Sequence, residues 1–420
     1  MRAWTTPAIS PLPASGILPA LHDTRTDTVA TVHPREEGRA RLYVCGITPY
    51  DSTHLGHAAT YHAADLMRRA LLDAGLEVEV AQNVTDVDDP LLERADRDGI
   101  DWRDLAREQT DLFAGDMTAL RIAAPETYRS VSESMDGIIA TVRAIRDRGR
   151  AYQVETPDAE GEDWYLDLDR DNTLGAVSGW TDAQMMEVFA ERGGDPERPG
   201  KRNRFDPLLW RAERSGEPAW DAGDLGRGRP GWHVECVRIA QDGLGLPFDI
   251  QTGGRDLIFP HHEMSAAHAT ALGDGFAGIY PHVGMVAYQG EKMSKSLGNL
   301  VFVSRMVADG VDPMAIRLVL MDHHYRSDWE WTEEQLDLAG IRLASYRWAA
   351  AQPSDVREGA RVVAALRAAL RDDLDTPRAL RVLDAWAEGR PVSHEQVPAE
   401  DAPTDVAAAC DALFGLTLEH

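Results

Sequence analysis

The sequence predicts an α/β protein built on a doubly wound parallel sheet, with an inserted subdomain and a helical region towards the C-terminus. Residues 41–86 show a strand, helix, strand order, which is typical of a parallel sheet because the chain must cross back to the same edge. Residues 151–225 are rich in Gly, Pro and acidic side chains and indicate an insertion. From about residue 304 the pattern is almost entirely helical. We therefore expect a discontinuous Rossmann-type domain at 1–150 and 226–300, a connective subdomain at 151–225 and a helical region at 301–420.

Local spacing predicts the individual elements. The β-branched and aromatic run at 41–45 predicts a buried strand that ends at Gly46. Apolar residues recur at helical intervals over 54–74, and Gly75 stands where a helix C-cap is expected. Residues 77–81 alternate as a strand does. Further patterns predict helices over 88–122, 134–148, 232–244 and 261–272, and a strand over 248–251 that Gly253 and Gly254 interrupt.

Composition narrows the class of protein. The 420 residues carry 43% hydrophobic side chains, a net charge of -27 and three cysteines, which is typical of a globular protein without a disulfide framework. No apolar run approaches the roughly 18 residues of a membrane span, and residues 1–23 lack the apolar stretch of a signal peptide. We expect a cytoplasmic monomer with no membrane partner. The acidity disfavours a nucleic-acid partner, although a local basic face can override net charge.

Two short motifs predict a nucleotide site. The HLGH string at 54–57 lies where the first strand passes into its helix, and the free amides there suit triphosphate oxygens. The KMSKS string at 292–296 is flanked by glycines, as in a mobile loop whose ammonium groups stabilise departing pyrophosphate. Each motif alone also fits a plainer interpretation, either structural helix histidines or a solvated basic loop. Lysine is rare in this chain, with only Lys201 outside the second motif, which favours a specific role for that motif.

Two cysteines and one histidine predict a metal site. Cys45 ends the first strand, Cys236 lies on the 232–244 helix and His261 begins the next helix. All three can meet at the carboxyl edge of the sheet, where doubly wound folds bind ligands. Thiolate and imidazole donors suit zinc. Taken singly, each cysteine also fits burial as a small apolar residue.

Three other patterns carry little weight. The GRGRPG string at 226–231 follows a polar loop and contains Pro230, unlike the turn of a dinucleotide-binding unit. His262 and Glu263 begin an H-E-x-x-H string that Ala266 breaks. No P-loop string occurs in the sequence.

The strings LYVCGITPYDSTHLGHA, NVTDVDD, GWHVEC, GGRDLIFPHHE and KMSKS together resemble the cysteinyl-tRNA synthetases over roughly residues 20–330. The resemblance implies a class I synthetase-type Rossmann catalytic domain with HIGH and KMSKS motifs, using ATP with Mg²⁺. It also implies one Zn²⁺ per chain held by Cys45, Cys236 and His261. Ser265 stands where that family has a fourth, glutamate ligand. Three protein ligands leave a tetrahedral zinc one open position, which the thiol of a cysteine substrate can fill.

Two departures separate the chain from those synthetases. Its C-terminal part is short and acidic where a basic anticodon-binding segment is expected, and its insertion contains the string ERGGDP at 191–196. This combination is similar to the cysteine ligases of mycothiol biosynthesis, which join L-cysteine to the amine of glucosaminyl-inositol. The resemblance implies formation of a cysteinyl-adenylate from ATP, then amide formation with release of AMP. A truncated cysteinyl-tRNA synthetase and a non-catalytic cysteine or adenylate sensor remain as alternatives.

The resemblance also implies roles for individual residues. His54 and His57 would hold the phosphates of ATP, and Lys292 and Lys295 would offset charge on the leaving pyrophosphate. Trp232 fits either the pocket or the protein core. The implied adenylate pocket comprises Cys45, Gly46, Ile47, Thr48, Thr60, Asn83, Val84, Thr85, Trp232, Gly254, Arg255, Asp256 and Val286.

Overall fold

The computed structural model describes residues 1–51, 53–171, 173–293, 298–353, 356–392 and 403–418, with the backbone alone at 292, 356 and 357. Its strands in chain order are β1 (Ala20–Asp23), β2 (Thr28–Thr31), β3 (Arg39–Val44), β4 (Glu77–Val84), β5 (Thr127–Ser130), β6 (Ala151–Val154), β7 (Asp163–Leu166), β8 (Leu208–Ala212), β9 (Trp220–Asp221), β10 (Arg227–Pro230), β11 (Phe248–Gly254), β12 (Ala277–Ile279), β13 (His282–Val283), β14 (Val286–Tyr288), β15 (Glu291–Lys292) and β16 (Trp329–Glu330). Its α-helices in chain order are α1 (Leu55–Asp73), α2 (Asp89–Asp98), α3 (Trp102–Ala119), α4 (Met135–Asp147), α5 (Asp182–Phe189), α6 (Trp232–Leu244), α7 (Glu263–Ala271), α8 (Val303–Ala308), α9 (Pro313–Met321), α10 (Glu333–Ala350), α11 (Val356–Leu370), α12 (Thr376–Ala387) and α13 (Val406–Phe414).

A parallel sheet with strand order β12-β11-β3-β4-β5 forms the centre of the fold, and β13 also pairs with β11. Successive side chains of β3 point to opposite faces. Leu42 and Val44 belong to the core that contains α1, whereas Tyr43 and Cys45 belong to the core that contains α4, α6 and α7. Helices therefore cover both faces, and the doubly wound α/β fold is confirmed.

The first βαβ unit follows its sequence pattern. Helix α1 has His54 as its N-cap and Ala74 as its C-cap, and Gly75 has a φ of 90°. The predicted 88–122 helix is instead two helices, α2 and α3. Gly99 ends the first with a φ of 66°, and the Asp101 carboxylate caps the second by accepting from Arg103 N–H.

Two glycine strings form strands rather than breaks. Strand β11 continues through Gly253 and Gly254, which pair in parallel with β13. The GRGRPG string contains β10, which lies in the antiparallel sheet β6-β7-β8-β10-β9 of the insertion. A Cβ on Gly228 would lie 2.0 Å from the Arg211 carbonyl oxygen, so this glycine serves close strand packing.

Helix α7 begins at Glu263, two residues later than predicted. Pro260 has no N–H, and it forces the preceding Phe259 into extended φ and ψ of -136° and 133°. His261 and His262 consequently lie in an irregular turn before the helix rather than within it.

The helices α8 to α13 pack against the α1 face of the sheet. Their apolar residues form one continuous core with α1 that runs from Leu21 to Leu418. Among the described residues, no helix has the length and apolar character needed to cross a membrane.

Candidate active site

Cys45, Cys236 and His261 come together at the carboxyl edge of the central sheet. Their two sulfurs and one imidazole nitrogen lie within 4.8 Å of one another, and all three residues are buried. Cys236 Sγ lies 3.2 Å from His261 Nε2. Zinc bonds of about 2.3 Å to sulfur and about 2.0 Å to nitrogen place tetrahedral ligands roughly 3.5 Å apart. The donor set and its spacing therefore fit a metal ion with little rearrangement.

Three elements deliver these donors. Cys45 follows the last residue of β3, and its N–H donates to the Thr252 carbonyl of β11 at 3.2 Å. Cys236 lies on α6, and His261 lies in the turn before α7. The Trp232 ring stacks on the His261 imidazole with centroids 4.3 Å apart, which fixes the plane of the imidazole. Trp232 thus lies beside the metal group.

Electrostatics at the group favour a bound cation. Burial raises the pKa of the Cys236 thiol well above its usual range, and the neighbouring Cys45 sulfur raises it further, while His261 acts in the opposite direction. A metal ligand must be a thiolate. Two thiolates at this depth are therefore stable only beside a positive charge.

Behind Cys45 runs a chain of hydrogen bonds that the sequence did not reveal. Cys45 Sγ lies 3.1 Å from His262 Nε2, His262 Nδ1 lies 2.7 Å from His282 Nε2, and His282 Nδ1 lies 2.7 Å from Thr24 Oγ1. Burial lowers the pKa of both imidazoles, to about 3 for His282, so each ring carries one proton. When His262 Nε2–H donates to the Cys45 sulfur, His262 Nδ1 must accept from His282 Nε2–H. His282 Nδ1 must then accept from the Thr24 hydroxyl.

Two side chains near the group are engaged elsewhere. Ser265 Oγ donates to the His261 carbonyl at 2.8 Å. The Glu263 carboxylate accepts from the N–H groups of Val177 and Ser178 at 3.2 and 2.7 Å. Within the described part of the chain, the donor group therefore has three members.

The HLGH histidines lie at the N-terminus of α1. His54 Nδ1 accepts from Gly56 N–H at 3.1 Å as the helix N-cap, and its ring stacks on that of His57 with centroids 3.9 Å apart. A Cβ on Gly56 would lie 2.9 Å from the His54 ring, so the glycine is needed for the cap itself. Both imidazoles thus share one face of the helix start.

The residues that follow the KMSKS string lie beside the start of α1. Leu55 N–H donates to the Val301 carbonyl at 2.9 Å, and Val303 N–H donates to the Thr53 carbonyl at 3.1 Å. Asn299 Nδ2 donates to the Tyr288 carbonyl at 2.9 Å, which fixes the exit of the segment. Lys295 and the Lys292 side chain lie outside the described residues.

Several residues of the expected adenylate pocket lie together at the ends of β3 and β4. Asn83 Oδ1 accepts from Gly46 N–H at 2.8 Å, and Asn83 Nδ2 donates to Thr85 Oγ1 at 3.0 Å. Thr85 N–H donates to the Ile47 carbonyl at 2.9 Å. Asn83 and its neighbour Val84 are both buried. Through these hydrogen bonds Asn83 holds the two strand ends together.

Other residues of the expected adenylate pocket lie on or beside α1, β11 and β14. A Cβ on Gly254 would lie 3.9 Å from Thr60 Oγ1 and 2.5 Å from Asp256 Oδ1, so these three residues adjoin one another. Arg255 Nη1 donates to both oxygens of the Asp328 carboxylate at 2.9 Å, which holds its charge at the surface. Val286 is buried, and its carbonyl accepts from Met293 N–H.

Asp88 is a buried carboxylate beside Thr48 that the sequence pattern did not single out. Thr48 Oγ1 donates to its carboxylate at 3.1 Å. Burial, together with the charge of Asp89, raises the pKa of Asp88 to about 6, while the Thr48 hydrogen bond opposes the rise. The NVTDVDD string named this carboxylate, but only the fold brings it to Thr48.

Comparison with known proteins places these features in a family. The model described as "tRNA synthetases class I (C) catalytic domain" matches residues 31–340. Proteins named "L-cysteine:1D-myo-inositol 2-amino-2-deoxy-alpha-D-glucopyranoside ligase" are 71% identical in Brachybacterium faecium and 55% identical in Cellulomonas flavigena, each over 100% of both chains. Such a ligase from Streptomyces avermitilis is 52% identical over 100% of both chains.

Solved structures share the fold at low sequence identity. Mycobacterium tuberculosis methionyl-tRNA synthetase in complex with methionyl-adenylate aligns with a TM-score of 0.61 and 17% identity, over 89% of each chain. The LeuRS of Agrobacterium radiobacter, in a ternary complex with tRNA and LeuAMS, aligns with a TM-score of 0.59 and 13% identity, over 91% of this chain and 83% of the other. These likenesses concern the fold alone.

Proposed function

Since this chain belongs to the class I (C) tRNA synthetase family, in the branch of the L-cysteine:1D-myo-inositol 2-amino-2-deoxy-alpha-D-glucopyranoside ligases, we propose that it joins L-cysteine to the amine of that acceptor, glucosaminyl-inositol. The chain is an ATP-dependent ligase, and its reaction has two steps. The carboxylate of cysteine attacks the α-phosphorus of ATP and releases pyrophosphate. The acceptor amine then attacks the cysteinyl-adenylate, forms the amide and releases AMP.

The observation that carries this proposal is the buried group of Cys45, Cys236 and His261. It lies at the carboxyl edge of β3, beside the residues of the expected adenylate pocket that follow Cys45. When bound by these residues, Zn²⁺ supplies a site for the substrate thiol and so selects cysteine against serine, whose hydroxyl is a poorer zinc ligand. The occupied hydroxyl of Ser265 agrees with a three-donor site.

The chain's own residues orient the nucleotide. His54 is held by its N-cap hydrogen bond, so its Nε2 and the stacked His57 ring face the same side of the start of α1. The α1 N-terminus and these imidazoles bind the phosphates. Lys292 and Lys295 offset charge on the leaving pyrophosphate, and Val301 and Val303, which follow their string, hydrogen-bond to the backbone of Leu55 and Thr53. Mg²⁺ accompanies ATP as part of the substrate.

The second step depends on positioning and on an unprotonated amine. An adenylate is already an activated acyl donor, so a well-placed amine needs little further catalysis. Burial disfavours charge near the substrate site, since it raises the pKa of the Asp88 carboxyl to about 6. The same desolvation shifts an amine towards its neutral form.

We further propose that the enzyme works as a cytoplasmic monomer without tRNA. The net charge of -27 opposes binding of a long polyanion. The ligase relatives match over the full length of both chains, which favours this function over a truncated cysteinyl-tRNA synthetase or a sensor.

The proposal is tested by product mass. The enzyme is incubated with Mg-ATP and L-cysteine, and with either glucosaminyl-inositol or tRNA. We expect the cysteinyl amide only in the first reaction, and cysteinylated tRNA alone would overturn the proposal. Pyrophosphate exchange should depend on cysteine and fail with serine, whereas equal exchange would refute selection by sulfur. His57→Gln should abolish exchange, and the exposed His33→Gln serves as the matched control.

A further inference from the structure

The ERGGDP segment at 191–196 contacts the part of the chain that carries the metal ligand His261. It follows α5 in the insertion, and Gly193 turns the chain with a φ of 85°. Arg192 Nη1 donates to the Asp256 carbonyl at 2.9 Å and to the Phe259 carbonyl at 2.6 Å. One guanidinium thus reaches from the insertion into the turn between β11 and α7.

Both carbonyls lack the donor that a regular helix would provide. The Asp256 carbonyl would accept from the N–H four residues later, but that residue is Pro260, which has none. In a regular helix the Phe259 carbonyl would accept from the N–H of Glu263, four residues later. That N–H instead donates to the carbonyls of Ile258 and Pro260. Buried carbonyls need a donor, and Arg192 supplies it to both.

The guanidinium has no competing carboxylate. No ion pair within the described chain includes Arg192, and the centroid of the Trp180 ring lies 6.0 Å from its guanidinium carbon. The Phe259 ring packs between Phe189 and Phe205 of the insertion, with centroids 5.7 and 5.9 Å apart. The turn is therefore held by an apolar cluster and by one cation.

The rest of the ERGGDP segment is fastened inside the insertion. Lys201 Nζ donates to Asp195 Oδ1 at 2.7 Å, and Tyr165 donates to the same carboxylate. A Cβ on Gly194 would lie 2.5 Å from the Phe189 ring. The base from which Arg192 projects is accordingly rigid.

We propose that Arg192 is a positioning residue that sets the backbone of residues 256–259, and thereby places His261 on the metal and Asp256 at the adenylate pocket. The proposal rests on the proposed function for the identity of the metal and the substrate. Residues that orient metal ligands from behind typically change metal affinity by 10- to 100-fold when they are replaced. The ERGGDP segment thus acts on the cysteine site through two backbone carbonyls.

The test measures zinc affinity by competition with a chromogenic chelator, in the absence of substrates. Arg192→Met should weaken zinc binding about tenfold and raise the KM for cysteine in pyrophosphate exchange more than the KM for ATP. Arg192→Lys, which keeps a donor and the charge, should recover part of both losses. The matched control is Arg198→Met, because the partners of Arg198 all lie within the insertion: the Thr156 hydroxyl, the Glu155 carbonyl and the Asp163 carboxylate.

The outcomes separate positioning from plain stabilisation. Arg198→Met should lower the thermal midpoint while it leaves zinc affinity and the KM for cysteine unchanged. A folded Arg192→Met with wild-type zinc affinity would overturn the proposal, as would equal losses in both variants. Because zinc binding is measured without an acceptor, a failure of the ligase assay would leave this result standing, so the two proposals can fail separately.

Discussion

At the scale of single residues, the position of Cys45 depends on the glycine that follows it. Gly46 N–H donates to Asn83 Oδ1 at 2.8 Å, and the same oxygen accepts from the Tyr43 hydroxyl at 3.0 Å. A Cβ on Gly46 would lie only 1.6 Å from the Asn83 carbonyl oxygen. The ends of β3 and β4 can therefore close behind the metal ligand only where no side chain intervenes.

We expect Gly46→Ala to lower the free energy of unfolding by about 3 kcal/mol, because the strand ends must separate to admit the methyl group. The zinc affinity of the variant should also fall, because Cys45 precedes Gly46. Gly115→Ala is the control: this exposed glycine lies inside α3 with nothing within 4 Å of an added Cβ, so it should stabilise by about 0.5–1 kcal/mol. Urea unfolding measures both, and a neutral Gly46→Ala would contradict the expected clash.

The two buried cysteines Cys236 and Cys410 should differ in their effects. Cys236→Ala removes a metal donor, so we expect loss of bound zinc by elemental analysis and loss of cysteine-dependent pyrophosphate exchange. Cys410 is equally buried but lies on α13 in the other core. Cys410→Ala should retain zinc and lose only about 1 kcal/mol of stability. Retention of zinc by the Cys236 variant would argue against the metal group.

At the scale of elements, a buried ionic cluster fixes the helix that carries HLGH. Asp65 and Arg69 lie on α1, Arg317 lies on α9, and the side chains of all three are fully buried. Arg69 Nη1 donates to the Asp411 carbonyl of α13 at 2.7 Å, and Arg317 donates to the Phe414 carbonyl. One carboxylate thus balances two guanidinium groups that join α1 to the C-terminal helices.

The cluster predicts a pH dependence of stability. Burial alone would raise the pKa of the Asp65 carboxyl, but Arg69 and Arg317 outweigh it and lower the pKa. A lowered folded-state pKa contributes stability above the unfolded value of about 3.9, and this contribution is lost as the pH falls through the folded-state value.

Asp65→Asn should accordingly destabilise by about 3–5 kcal/mol at pH 7, and its difference from the wild type should shrink below about pH 4. Asp104→Asn, in an exposed pair with Arg107, should change stability by less than about 1 kcal/mol at either pH. Urea unfolding at pH 7, 5 and 3.5 measures both. A difference of less than about 1 kcal/mol at pH 7 would contradict a charged and paired Asp65.

Sequence periodicity predicted the elements whose contacts are local. Helix α6 was predicted at its observed bounds, and α1 and β3 within two residues of theirs, because one buried face sets their pattern. The predicted start of α7 was wrong because Pro260 forces the residue before it into an extended conformation. The antiparallel sheet of the insertion was missed, since its short strands are interrupted by Gly and Pro.

The metal donors were predicted by their type and their place at strand and helix ends. The chain from Cys45 through His262 and His282 to Thr24 was not, because it joins residues up to 258 positions apart and no local pattern marks it. The same holds for Arg192, whose partners are carbonyls that every residue possesses.

At the scale of the whole molecule, the C-terminal helices form part of the catalytic core. Apolar residues of α1 and of α9 to α13 belong to one cluster, and the Asp65 cluster crosses the same boundary. The C-terminal part thus packs on α1, the helix whose N-terminus carries the HLGH histidines.

This arrangement predicts that Phe414→Ala lowers the free energy of unfolding of the whole molecule. Phe414 is fully buried at the end of α13, and its removal should cost about 3–5 kcal/mol. Because β3 carries side chains of both the core that contains Phe414 and the core that contains the metal ligands, calorimetry should show one transition at a lower midpoint, with zinc released in the same temperature range. Trp348→Ala, on the exposed face of α10 with 63% of the side chain accessible, should shift the midpoint little. An early transition that leaves zinc bound and pyrophosphate exchange intact would show that the C-terminal helices fold apart from the site.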